Sequence, residues 1–214
     1  MSHIKRISME KSWPLPRKGN KYVTAPYPGR NLRYALPLRI VLRDLIKIGH
    51  TQKEIKTILC GSNVLVNGRV RKDEKYPFGI FDVLSLPKIG KNYTLMLTTK
   101  GKLIIREISA KDAGIKICKV IGKKTLSNGR NQINFIDGRN IISEEKVNTG
   151  DSVMIELKDN KIIKVLPMRV GADVYVIGGE HIGEKGKIAE IGDKIKVTIG
   201  GKNFDIQENN LYII

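Results

Sequence analysis

The chain has 214 residues, with 39 Lys and Arg against 21 Asp and Glu, and a formal net charge of +18. Such a basic excess predicts a polyanionic partner, either a nucleic acid or an anionic membrane surface. No run of eighteen apolar residues occurs, so no transmembrane helix is expected. The length suits one large domain or two to three small ones.

The positive charge is concentrated in the first half of the chain. Residues 1–100 hold 20 Lys or Arg against 6 acids, whereas the rest hold 19 against 15. The N-terminus is basic but no apolar segment follows it, so no secretory signal is expected. Cys60 and Cys118 form no CxxC pair, which is typical of a reduced, intracellular protein. The first half is therefore expected to make the main electrostatic contact.

Residues 1–35 have the composition of an extended basic arm. Four prolines interrupt regular structure, and from the N-terminus to Arg39 nine Lys or Arg stand against Glu10 alone. We expect such a segment to order on a polyanion, with cations on phosphates and aromatic rings on bases. The alternative is a solubilising tail that binds nothing specific. The candidate RNA contacts in the arm are Lys5, Arg6, Trp13, Arg17, Lys18, Arg30 and Arg33.

Two basic helices are predicted after the arm. The first begins at Pro37, where proline suits a first turn, and ends at Gly49. The second begins at Thr51, whose capping box includes Glu54, and ends at Gly61. Leucines at i, i+4 and i+7 give the first helix an apolar face, and cations at i, i+4 and i+8 give it a basic stripe. The candidate RNA contacts on the helices are Arg39, Arg43, Lys47, Lys53 and Lys56.

A hairpin follows the helices. Alternating residues 64–66 and 69–71 flank Asn67-Gly68, which predicts a type I′ turn. Phe81, Val83 and Leu84 predict a further strand that closes the unit. The turn has little side-chain bulk, so we expect it to approach the RNA backbone closely. The candidate RNA contacts of the hairpin are Asn67, Gly68, Arg69, Arg71 and Lys72.

After Leu84, short β-branched runs alternate with Gly, Asn and Asp at a spacing near ten residues, which predicts small β-barrels. The predicted strands are 93–99, 103–108, 115–121, 132–136, 152–157, 162–165, 174–177, 187–190, 194–199 and 203–206. The fold class is therefore α+β, with a basic arm, a module of two helices and a small sheet, and two β-barrels. The predicted segments are 1–35, 36–90, 91–169 and 170–214.

Groups that could support catalysis are sparse. His3, His50 and His181 are scattered, and none lies at metal-ligand spacing from a cysteine or carboxylate. No Walker loop occurs, and residues 178–186 lack the GxGxxG pattern. We therefore expect no enzyme activity, no cofactor or metal, and no small-molecule substrate.

Two segments resemble known RNA-binding modules. Residues 42–48, Thr51-Gln52-Lys53-Glu54 and Gly61-Ser62-Asn63-Val64-Leu65-Val66-Asn67-Gly68-Arg69-Val70 resemble the alpha-L RNA-binding motif, which occurs in ribosomal proteins, pseudouridine synthases and some tRNA synthetases. Residues 171–179 and 183–188 resemble a KOW motif, a glycine-punctuated barrel hairpin of ribosomal proteins and transcription elongation factors.

Over essentially its whole length, the chain resembles the archaeal and eukaryotic (e-type) family of the fourth small-subunit ribosomal protein. Further residues that carry the resemblance are His3-Ile4-Lys5-Arg6, Trp13, Leu36-Pro37-Leu38, Tyr76-Pro77-Phe78-Gly79-Ile80-Phe81-Asp82-Val83 and Asp137-Gly138-Arg139-Asn140. The family often has histidine before Asp-Gly-Arg, whereas this chain has Ile136. That departure weakens any contact a histidine would make but leaves the turn intact.

The resemblance implies a structural component of the small ribosomal subunit that binds rRNA and supports assembly and translation. Its expected partners are small-subunit rRNA and neighbouring ribosomal proteins, with no membrane, and its expected location is cytoplasmic, on the ribosome. Additional candidate contacts are Arg139, Lys185 and Lys187. Two alternatives remain open: a free transcription or translation factor with a KOW domain, and an RNA-modifying enzyme anchored by the alpha-L module.

Overall fold

The computed structural model describes residues 3–126, 129–192 and 194–214 and shows a mixed fold with few helices and several antiparallel sheets. The chain divides into two compact units. Unit 1 comprises Met1–Leu97 and Gly101–Gly114, and unit 2 comprises Thr98–Lys100 and Ile115–Ile214.

Unit 1 consists of short strands and two helical segments. Its strands are β1 His3–Lys5, β2 Tyr22–Thr24, β3 Ala35–Pro37, β4 Leu65–Val66, β5 Arg69–Val70, β6 Pro77–Gly79, β7 Val83–Leu86, β8 Lys91–Leu97 and β9 Leu103–Ile108. Its helices are α1 Leu38–Ile40, which continues as the π-helix Val41–Leu45, and α2 Gln52–Cys60. Single 3-10 turns lie at Arg6–Ser8, Leu32–Tyr34 and Asp112–Gly114.

The main sheet of unit 1 has the order β5-β4-β7-β8-β9, and β1-β2 and β3-β6 form two-stranded sheets. β8 pairs with β7 on one side and with β9 on the other. The sheet therefore continues across residue 90, where the sequence pattern places a boundary between segments. The alternating apolar residues of β8 explain this continuity, because Leu95 and Leu97 are buried.

The N-terminal segment packs on unit 1 rather than extending away from it. The Trp13 side chain is fully buried, and its Nε1 donates to the Leu32 carbonyl at 3.0 Å. Met9 and Val23 are also buried, and the Leu103 amide donates to the Ser12 carbonyl at 2.8 Å. The expectation that this segment orders only on a polyanion, with Trp13 stacked on a base, is therefore not met. Tertiary packing supplies the apolar contacts that the segment lacks by itself.

The first helix is shorter and wider than predicted. After α1, the Ile46 amide donates to the Val41 carbonyl, the i to i+5 bond of a π-helix. The helix ends at Leu45, and Lys47 has a positive φ of 61°. Lys47 therefore lies beyond the helix, and the predicted three-cation stripe does not form, because it required uninterrupted 3.6-residue periodicity. The second helix is confirmed, including the Thr51 and Glu54 capping box.

The predicted hairpin is confirmed, with Asn67 and Gly68 at φ 51° and 75° between β4 and β5. Its turn is tied to the buried carboxylate of Asp82, which accepts from Asn67 Nδ2 at 2.9 Å and from the Gly79 amide at 2.8 Å. Arg30 Nη2 lies 3.0 Å from Asp82 Oδ1 and 2.9 Å from Oδ2. One carboxylate thus joins the N-terminal segment, the hairpin and β6.

Unit 2 contains two five-stranded antiparallel sheets, in the orders β12-β11-β10-β13-β14 and β18-β17-β16-β15-β19. The strands of the first are β10 Ile115–Thr125, β11 Asn131–Phe135, β12 Asn140–Ser143, β13 Ser152–Glu156 and β14 Ile162–Leu166. Those of the second are β15 Asp173–Val176, β16 Lys185–Ile191, β17 Ile195–Ile199, β18 Lys202–Ile206 and β19 Leu211–Ile213. A 3-10 turn, Glu208–Asn210, precedes β19.

All ten strands predicted after Leu84 are present, with small shifts at their ends. β12 and β19 were not predicted, because each is short and follows a turn-like polar sequence. Each sheet of unit 2 covers its own apolar core, one containing Phe135 and Val153 and the other containing Val176 and Val197. In each strand order, the two end strands pair, among the described residues, with a single neighbour and not with each other. Closure of either sheet into a barrel therefore stays a prediction.

The Asp82 carboxylate provides a test of what holds unit 1 together. In Asp82→Asn, the negative charge is lost, and an NH2 donor replaces one of the two oxygens that accept from Arg30, Asn67 and Gly79. We therefore expect a loss of about 3 kcal/mol in the free energy of unfolding. Denaturant titration followed by the fluorescence of Trp13, the single tryptophan, measures it. Glu107→Gln is the control, because that carboxylate pairs with Lys91 at 3.3 Å on the surface and should change stability by less than about 1 kcal/mol. Equal effects would contradict the assignment.

Candidate nucleic-acid interface

A cleft in unit 1 brings together side chains from the N-terminal segment, the first helix, the start of α2 and the loop before β6. Its volume is about 630 Å³. The cleft is lined by His3, Arg6, Asn20, Lys21, Tyr22, Val23, Thr24, Arg39, Arg43, Gln52, Glu74 and Lys75. We call this feature the cationic cleft, because five of these residues are Arg or Lys and one is an acid.

Hydrogen bonds hold the N-terminal segment, the first helix and the loop before β6 in place around the cationic cleft. The Arg6 amide donates to the Lys21 carbonyl at 2.9 Å, next to the pairing of β1 with β2. The Arg39 amide donates to the Glu74 carbonyl at 2.9 Å, which fixes the first helix to the loop. Arg39 Nη1 also donates to Thr24 Oγ1 at 2.9 Å. Residues far apart in the sequence therefore face one cavity.

The loop that carries Glu74 and Lys75 is fixed by the N-terminal segment. The Tyr27 amide donates to the Lys75 carbonyl at 2.9 Å, and Lys75 Nζ lies 5.7 Å from the centre of the Tyr27 ring. A hydrogen bond to the Asp73 carboxylate raises the pKa of the Tyr27 phenol, so the neutral hydroxyl remains the donor. The contacts with Tyr27 thus hold the loop in the position in which Glu74 and Lys75 line the cleft.

Burial makes the charges of the cleft costly. Desolvation lowers the pKa of Arg39, while the carboxylate of Glu74 acts in the opposite direction and Arg43 lowers the value further. An arginine remains charged despite such a shift. Arg43 is half-buried and donates to its neighbour Asp44 at 3.1 and 2.9 Å. The cleft therefore holds cations that attract an anion more strongly than solvated side chains would.

Several buried polar atoms of the cationic cleft have no hydrogen-bond partner among the described residues. They are Arg6 Nε, Arg39 Nε and Glu74 Oε2. The other atom of this kind in the described part of the chain is Arg71 Nε, whose guanidinium lies over the Tyr76 ring at 4.3 Å. Buried polar groups are normally paired, and their concentration on one cavity indicates a binding site.

The structure divides the predicted RNA contacts of unit 1 into three groups. Those that line the cationic cleft are Arg6, Arg39 and Arg43. Those exposed on the surface are Lys5, Lys18, Arg33, Lys47, Lys53, Lys56, Gly68, Arg69 and Lys72. Those engaged in the fold are Trp13, Arg17, Arg30, Asn67 and Arg71.

The third group has partners within unit 1. Arg17 donates to the carbonyls of Ile7 and Met9 at 3.3 and 3.4 Å. Asn67 is buried, and its side chain bonds Asp82 and the Val83 amide. The Asn67 side chain is therefore not exposed for a contact with RNA, and the close approach of the Asn67-Gly68 turn to an RNA backbone stays a prediction. Only Gly68 of that turn is exposed.

The predicted contacts of unit 2 differ in the same way. Arg139 Nε lies 3.4 Å from Asp137 Oδ2, and its Nη1 donates to Asn160 Oδ1 at 3.4 Å. The Asp137 carboxylate also pairs with buried Lys116, so the signature turn is anchored in its own sheet. Lys185 and Lys187 are exposed on β16.

Sequence reasoning missed several residues of the cationic cleft. Lys21, Glu74, Lys75 and the polar residue Gln52 were not predicted contacts. Lys75 and Glu74 lie in a loop with no periodic pattern, so no local signal relates them to the arm. The weak signal was the Asp73-Glu74 acidic pair inside an otherwise basic region.

Other kinds of site find no support in the described residues. They contain no cluster of three or more His, Cys, Asp or Glu that could hold a metal ion. Among them, too, no helix has the length and apolar character needed to cross a bilayer.

Comparison with known proteins identifies relatives across the chain. The sequence pattern of the Ribosomal family S4e matches residues 89–162. Small ribosomal subunit protein eS4 of Methanosphaera stadtmanae is 38% identical over 202 residues, which cover 94% of this chain and 82% of that protein. The eS4 protein of Methanocella arvoryzae is 36% identical over 221 residues, covering 100% and 94%.

The chain belongs to the eS4 family of small-subunit ribosomal proteins. The crystal structure of 30S ribosomal protein S4e from Thermoplasma acidophilum matches with a TM-score of 0.73 and 25% identity, covering 85% of this chain and 95% of that one. The family resemblance seen in the sequence is thereby confirmed. Since eS4 proteins are structural and not enzymes, the prediction that the chain is not an enzyme is confirmed as well.

Replacing Arg39 tests whether this residue is needed for the stability of unit 1. Methionine removes a desolvated charge and an unpartnered Nε, so Arg39→Met should change the free energy of unfolding by less than about 1 kcal/mol. Arg30→Met is the matched control, because it leaves the buried Asp82 carboxylate without its cation and should cost about 3 kcal/mol. Denaturation followed by Trp13 fluorescence measures both. A loss above about 2 kcal/mol for Arg39→Met would show that Arg39 mainly maintains the fold.

Proposed function

We propose that this eS4 protein is a structural constituent of the small ribosomal subunit that binds rRNA through the cationic cleft and the exposed cations around it. The observation that supports the proposal most strongly is the convergence of Arg6, Lys21, Arg39, Arg43 and Lys75 on one cavity. The names of its relatives support the ribosomal role. The protein then acts on the ribosome in the cytoplasm, next to other ribosomal proteins.

Binding is a matter of phosphate neutralisation and geometry. Each phosphate that a Lys or Arg neutralises releases a counterion, which makes the affinity strong and salt-dependent. Arginine adds a planar fork that meets phosphate with two hydrogen bonds. The exposed Lys53 and Lys56 on α2 extend the same charge over the helix surface. A cleft held by hydrogen bonds, with exposed lysine side chains around it, suits a permanent complex with folded RNA.

The two module resemblances belong to the same proposal. The capped α2 and the β4–β5 hairpin support an alpha-L type of RNA-binding domain over residues 36–90. β15 pairs with β16 across a loop in which Gly179 and Gly183 have positive φ, which supports a KOW-type hairpin within residues 170–214. Arg139, Lys185 and Lys187 are the proposed RNA contacts of unit 2. Of the segment 91–169 predicted as a central β domain, residues 115–169 belong to unit 2, whereas β8 and β9 belong to the main sheet of unit 1.

Neutralising the cleft should weaken RNA binding more than neutralising the surface. For Arg39→Gln with Arg43→Gln, we expect about tenfold lower affinity for a transcript of archaeal small-subunit rRNA, and a log–log salt slope smaller by about 1 to 2. Filter binding over a range of salt concentrations measures both quantities. The control, Lys88→Gln with Lys111→Gln, removes the same charge from exposed positions outside the cleft. Equal losses in the two double variants would contradict a specific role of the cleft.

The ribosomal role itself is tested in cells. The protein should sediment with small subunits in sucrose gradients at high salt, in a stoichiometric amount. A pool found only in the soluble fractions would instead favour the free transcription or translation factor.

A further inference from the structure

We propose that the cationic cleft holds one ribonucleotide of the bound RNA, with its phosphate on Arg6 and Arg39 and its 2′-hydroxyl donating to Glu74. This inference rests on the proposed RNA-binding function. It adds the chemical group by which the cleft distinguishes RNA from DNA.

The unpartnered atoms of the cleft have opposite hydrogen-bonding roles. Arg6 Nε and Arg39 Nε are donors, whereas Glu74 Oε2 is an acceptor, and all three are buried without a partner among the described residues. A phosphate satisfies the two donors, because its oxygens accept. It cannot satisfy Glu74, since a phosphate oxygen and a carboxylate repel each other. A single occupant that pairs all three atoms therefore presents acceptors and a donor together.

Glu74 is held ready as an acceptor. Its Oε1 accepts from Gln52 Nε2 at 2.9 Å, and its backbone carbonyl accepts from the Arg39 amide. The first contact holds the carboxylate and the second holds the backbone of Glu74, while Oε2 has no donor among the described residues. Glu74 counteracts the effect of desolvation on the pKa of Arg39, but an acid also weakens the attraction of the surrounding cations for a phosphate. Its place among five Arg and Lys residues indicates recognition of a second group.

A ribonucleotide carries both groups at short range. The 2′-hydroxyl lies on the ribose that the phosphate esterifies, whereas the donors on the bases lie across the sugar. The 2′-hydroxyl is also the group that separates RNA from DNA in protein complexes. The cleft volume of about 630 Å³ is sufficient for a small-molecule-sized group, so a single nucleotide can enter.

Three uridine hexamers test the inference at low salt by fluorescence anisotropy: the RNA, its 2′-deoxy form and its 2′-O-methyl form. All three share the same bases and phosphates, and the 2′-O-methyl form keeps the oxygen but lacks the proton. We expect the protein to bind the RNA about tenfold more tightly than either analogue, as for one hydrogen bond to a charged group. Glu74→Ala should reduce this preference to within about twofold without weakening binding of the deoxy form, because a repulsive charge is removed.

Glu107→Ala is the matched control, because it removes an exposed carboxylate of unit 1 outside the cleft. It should leave the preference for RNA unchanged. Equal affinities of the wild type for all three hexamers, a preference that survives Glu74→Ala, or no hexamer binding at all would each overturn the inference. The rRNA-transcript titration separates the two proposals, since binding that persists there without any hexamer preference removes only the 2′-hydroxyl contact. Loss of binding to both the transcript and the hexamers would contradict the proposed RNA-binding function as well.

Discussion

The buried carboxylate of Asp82 is the contact on which the arrangement of unit 1 depends. It accepts from Arg30, Asn67 and Gly79, so a single side chain connects the N-terminal segment, the hairpin turn and β6. A buried charge is tolerated only when paired and hydrogen-bonded, and every one of these donors is needed. With the N-terminal segment fixed in this way, Arg6 reaches the same cavity as Arg39. The cleft therefore depends on this carboxylate together with the backbone bonds from Arg6 to Lys21 and from Arg39 to Glu74.

Arginines and lysines of this chain serve two separate purposes, which composition alone does not distinguish. Arg17 and Arg30 bind backbone carbonyls and a buried carboxylate, and Lys116 pairs with Asp137 inside unit 2. These contacts connect the three cations to the fold of their own unit. Arg6 is buried and Arg39 is half-buried, and each keeps a buried Nε without a partner among the described residues. What separates Arg30 and Lys116 from Arg6 and Arg39 is their hydrogen bonding, since the first two pair with carboxylates of the fold whereas the other two each keep an unpaired Nε.

Local sequence patterns predicted those parts of the fold that local chemistry determines. The Asn67-Gly68 hairpin follows from backbone preferences, and the strands after Leu84 follow from β-branched runs between turns. The burial of Trp13 was not predictable in this way, because its partner Leu32 belongs to another part of an irregular segment. The π-helix at Val41–Leu45 was missed for a similar reason, since its apolar spacing also fits an α-helix. For the site, the cations of the first helix were identifiable, whereas Glu74 and Lys75 reach it only through tertiary contacts.

The presence of Glu74 in the cationic cleft bears on how a very basic protein remains selective. A surface with net charge +18 attracts any polyanion, and adding cations to it raises affinity for correct and incorrect partners alike. An acid among the cations lowers that general attraction. A partner with a hydrogen-bond donor next to Glu74 offsets this loss of affinity, whereas a partner without such a donor does not. The difference in affinity between the two partners therefore grows. Selectivity in this cleft therefore comes from a repulsive element combined with an attractive one, and the Gln52 contact holds the carboxylate that supplies the repulsive element.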